Sequence, residues 1–197
     1  QQPGVWPGVA SRVVAASGQL EASLAGCDAV VVTGSGSSLY ASECIASAIL
    51  PRLDVPATAV PAGTILTHPE ISLPTTDAFL LVSVARSGNS PESRAAVDWV
   101  LEAHPGARHV FLTCNRDGFL ATSYQGMENV CTLLLPDQTN DESLVMTSSF
   151  TSLVLAGLGL GALNDLDAYE ARARALSRVA ADVLTRCSEL GPVAPHG

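Results

Sequence analysis

Short apolar runs recur along the chain at residues 29–33, 55–60, 78–84, 109–113 and 130–135. Each is rich in Val, Leu or Phe and lacks strict alternation of apolar with polar positions, the pattern of strands buried on both faces. Helical patterns fill the gaps at residues 38–50 and 91–103, with a weaker one after Asp117. A polar-apolar stretch at 5–24 predicts a leading helix, with Leu20 and Leu24 one turn apart. Beyond the fifth run come two longer helical patterns, 144–163 and 166–190, and then the Pro- and Gly-rich tail 191–197, which reads as a linker or frayed end. Alternating β and α elements imply parallel strands joined by right-handed crossovers, with helices on both sides. The expected fold class is α/β: a three-layer α-β-α sandwich whose five parallel strands take the flavodoxin-like order 2-1-3-4-5. No internal repeat is visible.

Composition sharpens this picture. The length of 197 residues suits one ordinary domain. All ten basic residues are Arg, against nineteen acids, for a net charge of −9. A Schiff-base lysine and a P-loop lysine are therefore excluded. The acidic balance argues against a nucleic-acid or anionic-membrane partner, both of which need a basic face. Charged residues make up only 15% and hydrophobic ones 47%, and the mean hydropathy is +0.30. That is more apolar surface than a lone domain of this size easily hides, so a buried interface with another domain or subunit is expected. The start at Gln1, without Met, reads as a processed or trimmed piece of something longer. Cys27, Cys44, Cys114, Cys131 and Cys187 are widely spaced with no CxxC, as expected of core thiols in a reducing cytoplasm. No signal peptide is recognisable. Residues 143–164 carry no charge, but their many Ser, Thr and Gly residues and acidic flanks predict a helix buried by protein rather than by lipid.

In a parallel sheet, ligands sit at the carboxyl ends of the strands. After the first strand the chain reads Thr33-Gly34-Ser35-Gly36-Ser37-Ser38; after the third it reads Ala85-Arg86-Ser87-Gly88-Asn89-Ser90-Pro91-Glu92. Both are hydroxyl-rich turns feeding a helix start, with Pro91 at a first helical position. One such turn is ordinary helix capping. Two at matched strand ends bring backbone N–H groups, helix dipoles and Ser hydroxyls to one point, an anion cradle built without lysine. Leu39 stands where a dinucleotide fingerprint needs its third Gly, and no acid closes the second strand, so a nicotinamide cofactor is not expected. No Cys/His spacing suggests a metal. His68 lies in a loop, and His104 and His109, flanking a Pro-Gly turn, are expected at the surface.

The "GSGSS" and "SGNSPE" segments resemble the two signatures of the SIS, or sugar isomerase, domain, and the resemblance runs from about Ala29 to Leu163. The stretch from Asn140 to Thr151 is similar to the start of a late helix in such domains. "ARSGNSPES", "LTCN" and "TNDES" resemble a narrower group, the tagatose-6-phosphate ketose/aldose isomerases, also described as galactosamine-6-phosphate deaminases.

The resemblance implies a sugar phosphate as ligand, with no cofactor. It assigns the first-loop hydroxyls to Ser37 and Ser38 and the phosphate-binding hydroxyls to Ser87 and Ser90, with backbone from Gly88 and Asn89. Ala85 replaces the usual first Ser of that signature. Arg86 beside it either supplies charge or points to solvent or a partner. Val145 is expected to line the sugar pocket through its backbone at the next helix start. Glu142 is the candidate catalytic acid, placed to move a proton between C1 and C2; the alternative is an acid that merely favours a helix dipole. Proteins of this group look like tandem SIS domains, with their acid/base Glu and His in the second. The expected organisation is thus a leading helix at 1–25, a SIS domain at 26–165, and a C-terminal helix and linker at 166–197 toward a second SIS domain. The reaction implied is aldose-ketose isomerisation or amino-sugar-phosphate deamination in the cytoplasm, by a homodimer or a chain packed on that second domain. A single SIS domain acting as a sugar-phosphate sensor, and a flavodoxin-like nucleotide or flavin domain, are the alternatives.

Overall fold

The computed structural model describes residues 2–143 and 145–189. Five strands, β1 (Ala29–Gly34), β2 (Ala57–Pro61), β3 (Phe79–Ala85), β4 (Arg108–Thr113) and β5 (Val130–Leu134), form one parallel sheet. Their order is β2-β1-β3-β4-β5, the flavodoxin-like order expected. All of β3 is buried, and β1 and β4 are buried after their first residue. The edge strands β2 and β5 differ from expectation: each has one neighbour among the described residues, and neither is buried throughout.

Period-2 alternation sorts the central strands onto two cores. Val30, Val32, Leu80, Val82, Val110 and Leu112 face one side. There they meet α1 (Gln2–Ala15), α2 (Ser17–Leu24), α3 (Ser37–Leu53) and α8 (Ser148–Leu160), through Val13, Leu20, Ile45 and Leu153. Val31, Phe79, Leu81 and Phe111 face the other side. They pack on α4 (Ala62–Thr67) and α6 (Pro91–Ala103) through Ile65, Val97 and Val100. Because α3 and α6 cover opposite faces while β1 and β3 are neighbours, a crevice opens at the carboxyl ends of that pair.

The helices depart from expectation in three places. The leading helix is two, α1 and α2, divided at Ala16. The crossover from β2 to β3 contains α4 and the single turn α5 (Pro69–Ser72), which the apolar pattern does not announce. The late helix begins at Ser148, four residues after its expected start at Leu144. Leu144, Leu190 and the tail 191–197 lie outside the described residues. After Asp117 there is one turn, α7 (Phe119–Thr122). The last helix, α9 (Leu166–Glu189), lies beside α1. Tyr169 and Ala173 share a core with Val9, Ala10 and Val13, and Ser177 Oγ donates to the Pro3 carbonyl (2.6 Å). Both terminal segments thus pack on the same core as the sheet. No single helix among the described residues is long and apolar enough to cross a membrane.

Cys114 and Cys131 are buried as expected and Cys27 is half-buried, whereas Cys44 and Cys187 are exposed; all five are free thiols. The expectation for His109 is wrong: it is fully buried within β4, on the α6 face of the sheet, because β4 already begins at Arg108. Neither of its ring nitrogens has a hydrogen-bond partner among the described residues. Burial holds its pKa down at about 4. His104 is half-buried, paired with Asp77 at 2.8 Å and set edge-on to Phe79.

Candidate functional site

The β1/β3 register pairs Thr33 with Ser83, which brings the two following turns side by side at the crevice. In the first turn Ser38 is buried and Ser37 exposed. The Ser38 carbonyl accepts from Ser42 Oγ (2.8 Å). No side-chain hydrogen bond caps the start of α3, nor that of α6, where Ser90 is the N-cap residue. The Ser90 hydroxyl instead donates to Ser93 Oγ (2.6 Å). Neither helix start carries a side-chain cap, although at α3 the Ser38 and Leu39 N–H groups already donate to the Ser35 and Gly36 carbonyls (3.2 and 3.1 Å); helix starts of this kind suit an anion.

The second turn is held from behind through its carbonyls. Asn115 Nδ2 donates to the Ser87 carbonyl (3.0 Å), and the Leu120 N–H donates to the Gly88 carbonyl (3.1 Å). The Arg86 carbonyl accepts from the Cys114 N–H (3.2 Å) and from Thr113 Oγ1 (3.3 Å). Asn89 Oδ1 accepts from the Phe119 N–H (2.8 Å), so its side chain faces α7. The Asn89 N–H in turn donates to Ser87 Oγ (3.3 Å). Gly88 has φ of 66°, a conformation other residues rarely adopt. Gly118 packs so closely that a Cβ there would lie 2.2 Å from the Ser87 carbonyl oxygen. This scaffold fixes where the Ser87 hydroxyl and the start of α6 sit.

Arg86 is half-buried. Its Nη1 donates to the Ser143 carbonyl (2.6 Å), linking the β3 turn to the segment before α8. Asp141 anchors the same segment on its other side. Its carboxylate accepts from the N–H groups of Thr147 (3.0 Å), Ser148 (3.2 Å) and Ser149 (2.8 Å), and from Ser149 Oγ (2.7 Å). Burial pushes the Asp141 pKa up, but the Ser149, Thr147 and Ser148 hydrogen bonds outweigh it and leave the carboxyl below its usual range. The acid that stabilises a helix start here is therefore Asp141, and α8 supplies its own anion. Glu142, between Asp141 and Ser143, is exposed.

Val145 precedes α8 rather than starting it, and its side chain is 70% exposed. Its N–H donates to Ser143 Oγ, and that hydroxyl donates to the Val145 carbonyl, both at 3.1 Å. The structure thus sets the turn bearing Ser37 and Ser38 and the turn bearing Ser87, Gly88, Asn89 and Ser90 at the ends of neighbouring strands, and ties the segment bearing Glu142 and Val145 to the second turn through Arg86. Sequence reasoning missed Asp141, whose partners lie six to eight residues away and so match no local capping pattern. It also missed the buried hydroxyls of Thr33, Ser83, Ser148 and Ser152, which have no hydrogen-bond partner among the described residues. Nearby Cys114 is pushed up to about 11 by burial, despite a hydrogen bond with Thr139, and stays a protonated thiol.

A cavity of about 620 Å³ lies elsewhere, between α2 and the amino ends of β4 and β5, lined by Gln19, Arg108 and Glu128 among others. Helix starts converge at the carboxyl ends of a parallel sheet, so the crevice remains the better candidate for an anionic ligand.

No protein-family model matches the chain. It is 40% identical over 139 residues to a D-galactosamine-6-phosphate deaminase of Shewanella sp. (strain ANA-3), a match covering 68% of this chain and 36% of that protein. A Streptomyces coelicolor protein that bears the same name provisionally is 36% identical over 191 residues, covering 93% of this chain and 48% of the relative. Among solved structures, tagatose-6-phosphate ketose/aldose isomerase from Escherichia coli superposes with a TM-score of 0.84 at 29% identity, over 94% of this chain and 51% of that one. The chain spans about half the length, or less, of the curated relatives it matches.

Proposed function

We propose that this SIS-domain chain, a relative of the galactosamine-6-phosphate deaminases and tagatose-6-phosphate isomerases, binds a hexose or hexosamine 6-phosphate in the crevice between β1 and β3. The observation that carries the reading is the pair of adjoining helix starts, α3 and α6, neither with a side-chain cap, beside the braced Ser87 hydroxyl. A phosphate dianion there would accept from backbone N–H groups and from Ser38, Ser87 and Ser90. Hydrogen bonds to a charged partner are strong enough to hold it without lysine.

The chemistry we assign to the whole protein is ring opening followed by proton transfer next to the carbonyl, by way of a cis-enediol or enamine. That route serves both aldose-ketose isomerisation and amino-sugar-phosphate deamination. Glu142 is our candidate proton carrier in this chain, held beside the crevice between Asp141 and the Arg86-bound Ser143. The remaining acid and base would come from a second SIS domain in a polypeptide of the relatives' length. General acid-base groups contribute about 10²–10⁴ in rate, so this chain alone should bind well and turn over poorly. We prefer an enzyme to a sensor because the curated relatives described above are named as deaminases.

The test is thermal denaturation against a panel of sugar 6-phosphates, the unphosphorylated sugars and inorganic phosphate. A ligand at 100 times its Kd adds about 2.7 kcal/mol. Stabilisation by sugar 6-phosphates beyond that given by the parent sugars supports the proposal; equal, negligible shifts throughout refute it.

A further inference from the structure

Position 93 breaks the pattern of α6. The helix buries Ser93, Ala96, Val97 and Val100, an otherwise apolar stripe whose first member is a hydroxyl. Ser93 is 4% exposed. Buried hydroxyls normally have a hydrogen-bond partner, and the partner here is Ser90, whose Oγ donates to Ser93 Oγ at 2.6 Å.

That bond takes Ser90 away from its ordinary task. Ser90 is the N-cap residue of α6, with φ of −65° and ψ of 131°. From this extended conformation a serine hydroxyl normally accepts from the N–H two or three residues further on. The Ser90 hydroxyl makes no such bond. Pro91 has no N–H to offer, and the Arg94 N–H already donates to the Ser90 carbonyl (3.1 Å). The first-turn donors left without a side-chain acceptor, among the described residues, are the N–H groups of Glu92 and Ser93. The start of α8 shows the opposite arrangement, in which Asp141 takes the N–H groups of Thr147, Ser148 and Ser149.

We propose that Ser93 is a positioning residue for the anion. It holds the Ser90 hydroxyl off the backbone and so keeps the α6 N–H groups open to a phosphate. The inference rests on the sugar-phosphate reading above and names the residue that keeps that helix start uncapped. A hydroxyl has one donor and two acceptor positions. When a phosphate arrives, the Ser90 O–H turns onto a phosphate oxygen, and the Ser93 O–H donates to Ser90 in its place. The contact between the two oxygens persists with its direction reversed, and a hydroxyl that accepts one hydrogen bond donates a stronger one. In Ser93→Ala the Ser90 hydroxyl loses this partner and accepts from the N–H at position 93, as N-cap serines do. The helix then supplies its own cap, which the anion must displace.

The test is a double-substitution cycle, read by calorimetric titration of galactosamine 6-phosphate into the 197-residue chain. Ser93→Ala should weaken binding about fivefold, the strength of one ordinary N-cap hydrogen bond at 1.4 kcal/mol per decade. Without ligand, urea denaturation should show no loss of stability, because a cap has been gained and alanine is the better helix former. Amide exchange at position 93, followed by NMR, should slow by about the same factor. In a Ser90→Ala background no hydroxyl remains to turn onto the backbone, so Ser93→Ala should change the affinity no further. A Ser93→Ala chain that binds like the parent overturns the inference and leaves the sugar-phosphate reading standing. So does a loss of affinity that persists in the Ser90→Ala background, a loss of stability, or an amide at position 93 that exchanges no more slowly. A parent chain that binds neither galactosamine 6-phosphate nor inorganic phosphate overturns both.

Discussion

The Arg86 guanidinium donates a 2.6 Å hydrogen bond to the Ser143 carbonyl, tying the turn after β3 to the segment that enters α8. Asp141 ties the same segment to the first turn of α8. Glu142 is thereby held between two anchors. Arg86→Met should release one of them. Hydrogen exchange at the Val145 amide should quicken about fivefold, the equivalent of losing one hydrogen bond of about 1 kcal/mol. Sugar-phosphate affinity should change less than it does when Ser87 is altered. Unchanged exchange would mean that Arg86 does not hold the segment.

Gly118 supports the phosphate turn by close approach. A methyl group there would meet the Ser87 carbonyl oxygen at 2.2 Å, a backbone atom that cannot swing away. Gly118→Ala should cost about 1–3 kcal/mol in urea denaturation, the range for overpacking, and should weaken sugar-phosphate binding by displacing Ser87. Gly63→Ala is the comparison: its Cβ would meet nothing within 4 Å, so stability should hold and binding should not change.

The three central strands and the helix Pro91–Ala103 were legible because burial on both faces leaves an uninterrupted apolar run, and because Pro91 marks a helix start. Neither α4 nor α5 was legible. They are short, Ala62 and Ile65 are the only buried residues in α4, and α5 buries none. The start of α8 was misplaced because its acceptor, Asp141, comes from beyond a loop rather than from the adjacent residue. The Ser87 and Ser90 turn could be read from local chemistry, whereas its support by Asn115 and Gly118 is a tertiary contact with no local signature. His109 looked like a surface residue because a Pro-Gly turn precedes it closely, yet it is already inside β4.

Asp141 should act as an electrostatic cap. Its pKa is lower in the folded state than the ordinary 3.8, so its stabilising effect is complete above that pH and is lost as pH falls through the folded value. Asp141→Asn should therefore lower stability at pH 7 by about 1 kcal/mol. The gap between variant and parent in urea midpoints should close in strong acid. A variant as stable as the parent at pH 7 would remove the cap from the account.

His109 sets a second pH dependence. Its folded pKa is about 4 against an ordinary 6.5, so between those values the unfolded chain binds a proton that the folded chain refuses. Stability should fall as pH drops from 6.5 toward 4, by on the order of 3 kcal/mol at about 1.36 kcal/mol per pH unit. His109→Leu, which removes the titrating ring from an apolar site, should flatten that slope in denaturation curves taken across the window. A slope that persists unchanged would place its origin elsewhere.

The central claim, a phosphate held by hydroxyls and helix starts, is tested most directly by calorimetric titration of galactosamine 6-phosphate into the parent chain and its Ser87→Ala and Ser90→Ala variants. Each lost hydrogen bond to the dianion is worth about 1.5–3 kcal/mol, so affinity should fall roughly 10- to 150-fold at 1.4 kcal/mol per decade. The fold should persist, because a loop hydroxyl contributes about 1 kcal/mol to stability. Arg86→Ala should weaken binding less. If both serine variants bind like the parent while Arg86→Ala abolishes binding, the site is a charge clamp and the hydroxyl cradle is wrong.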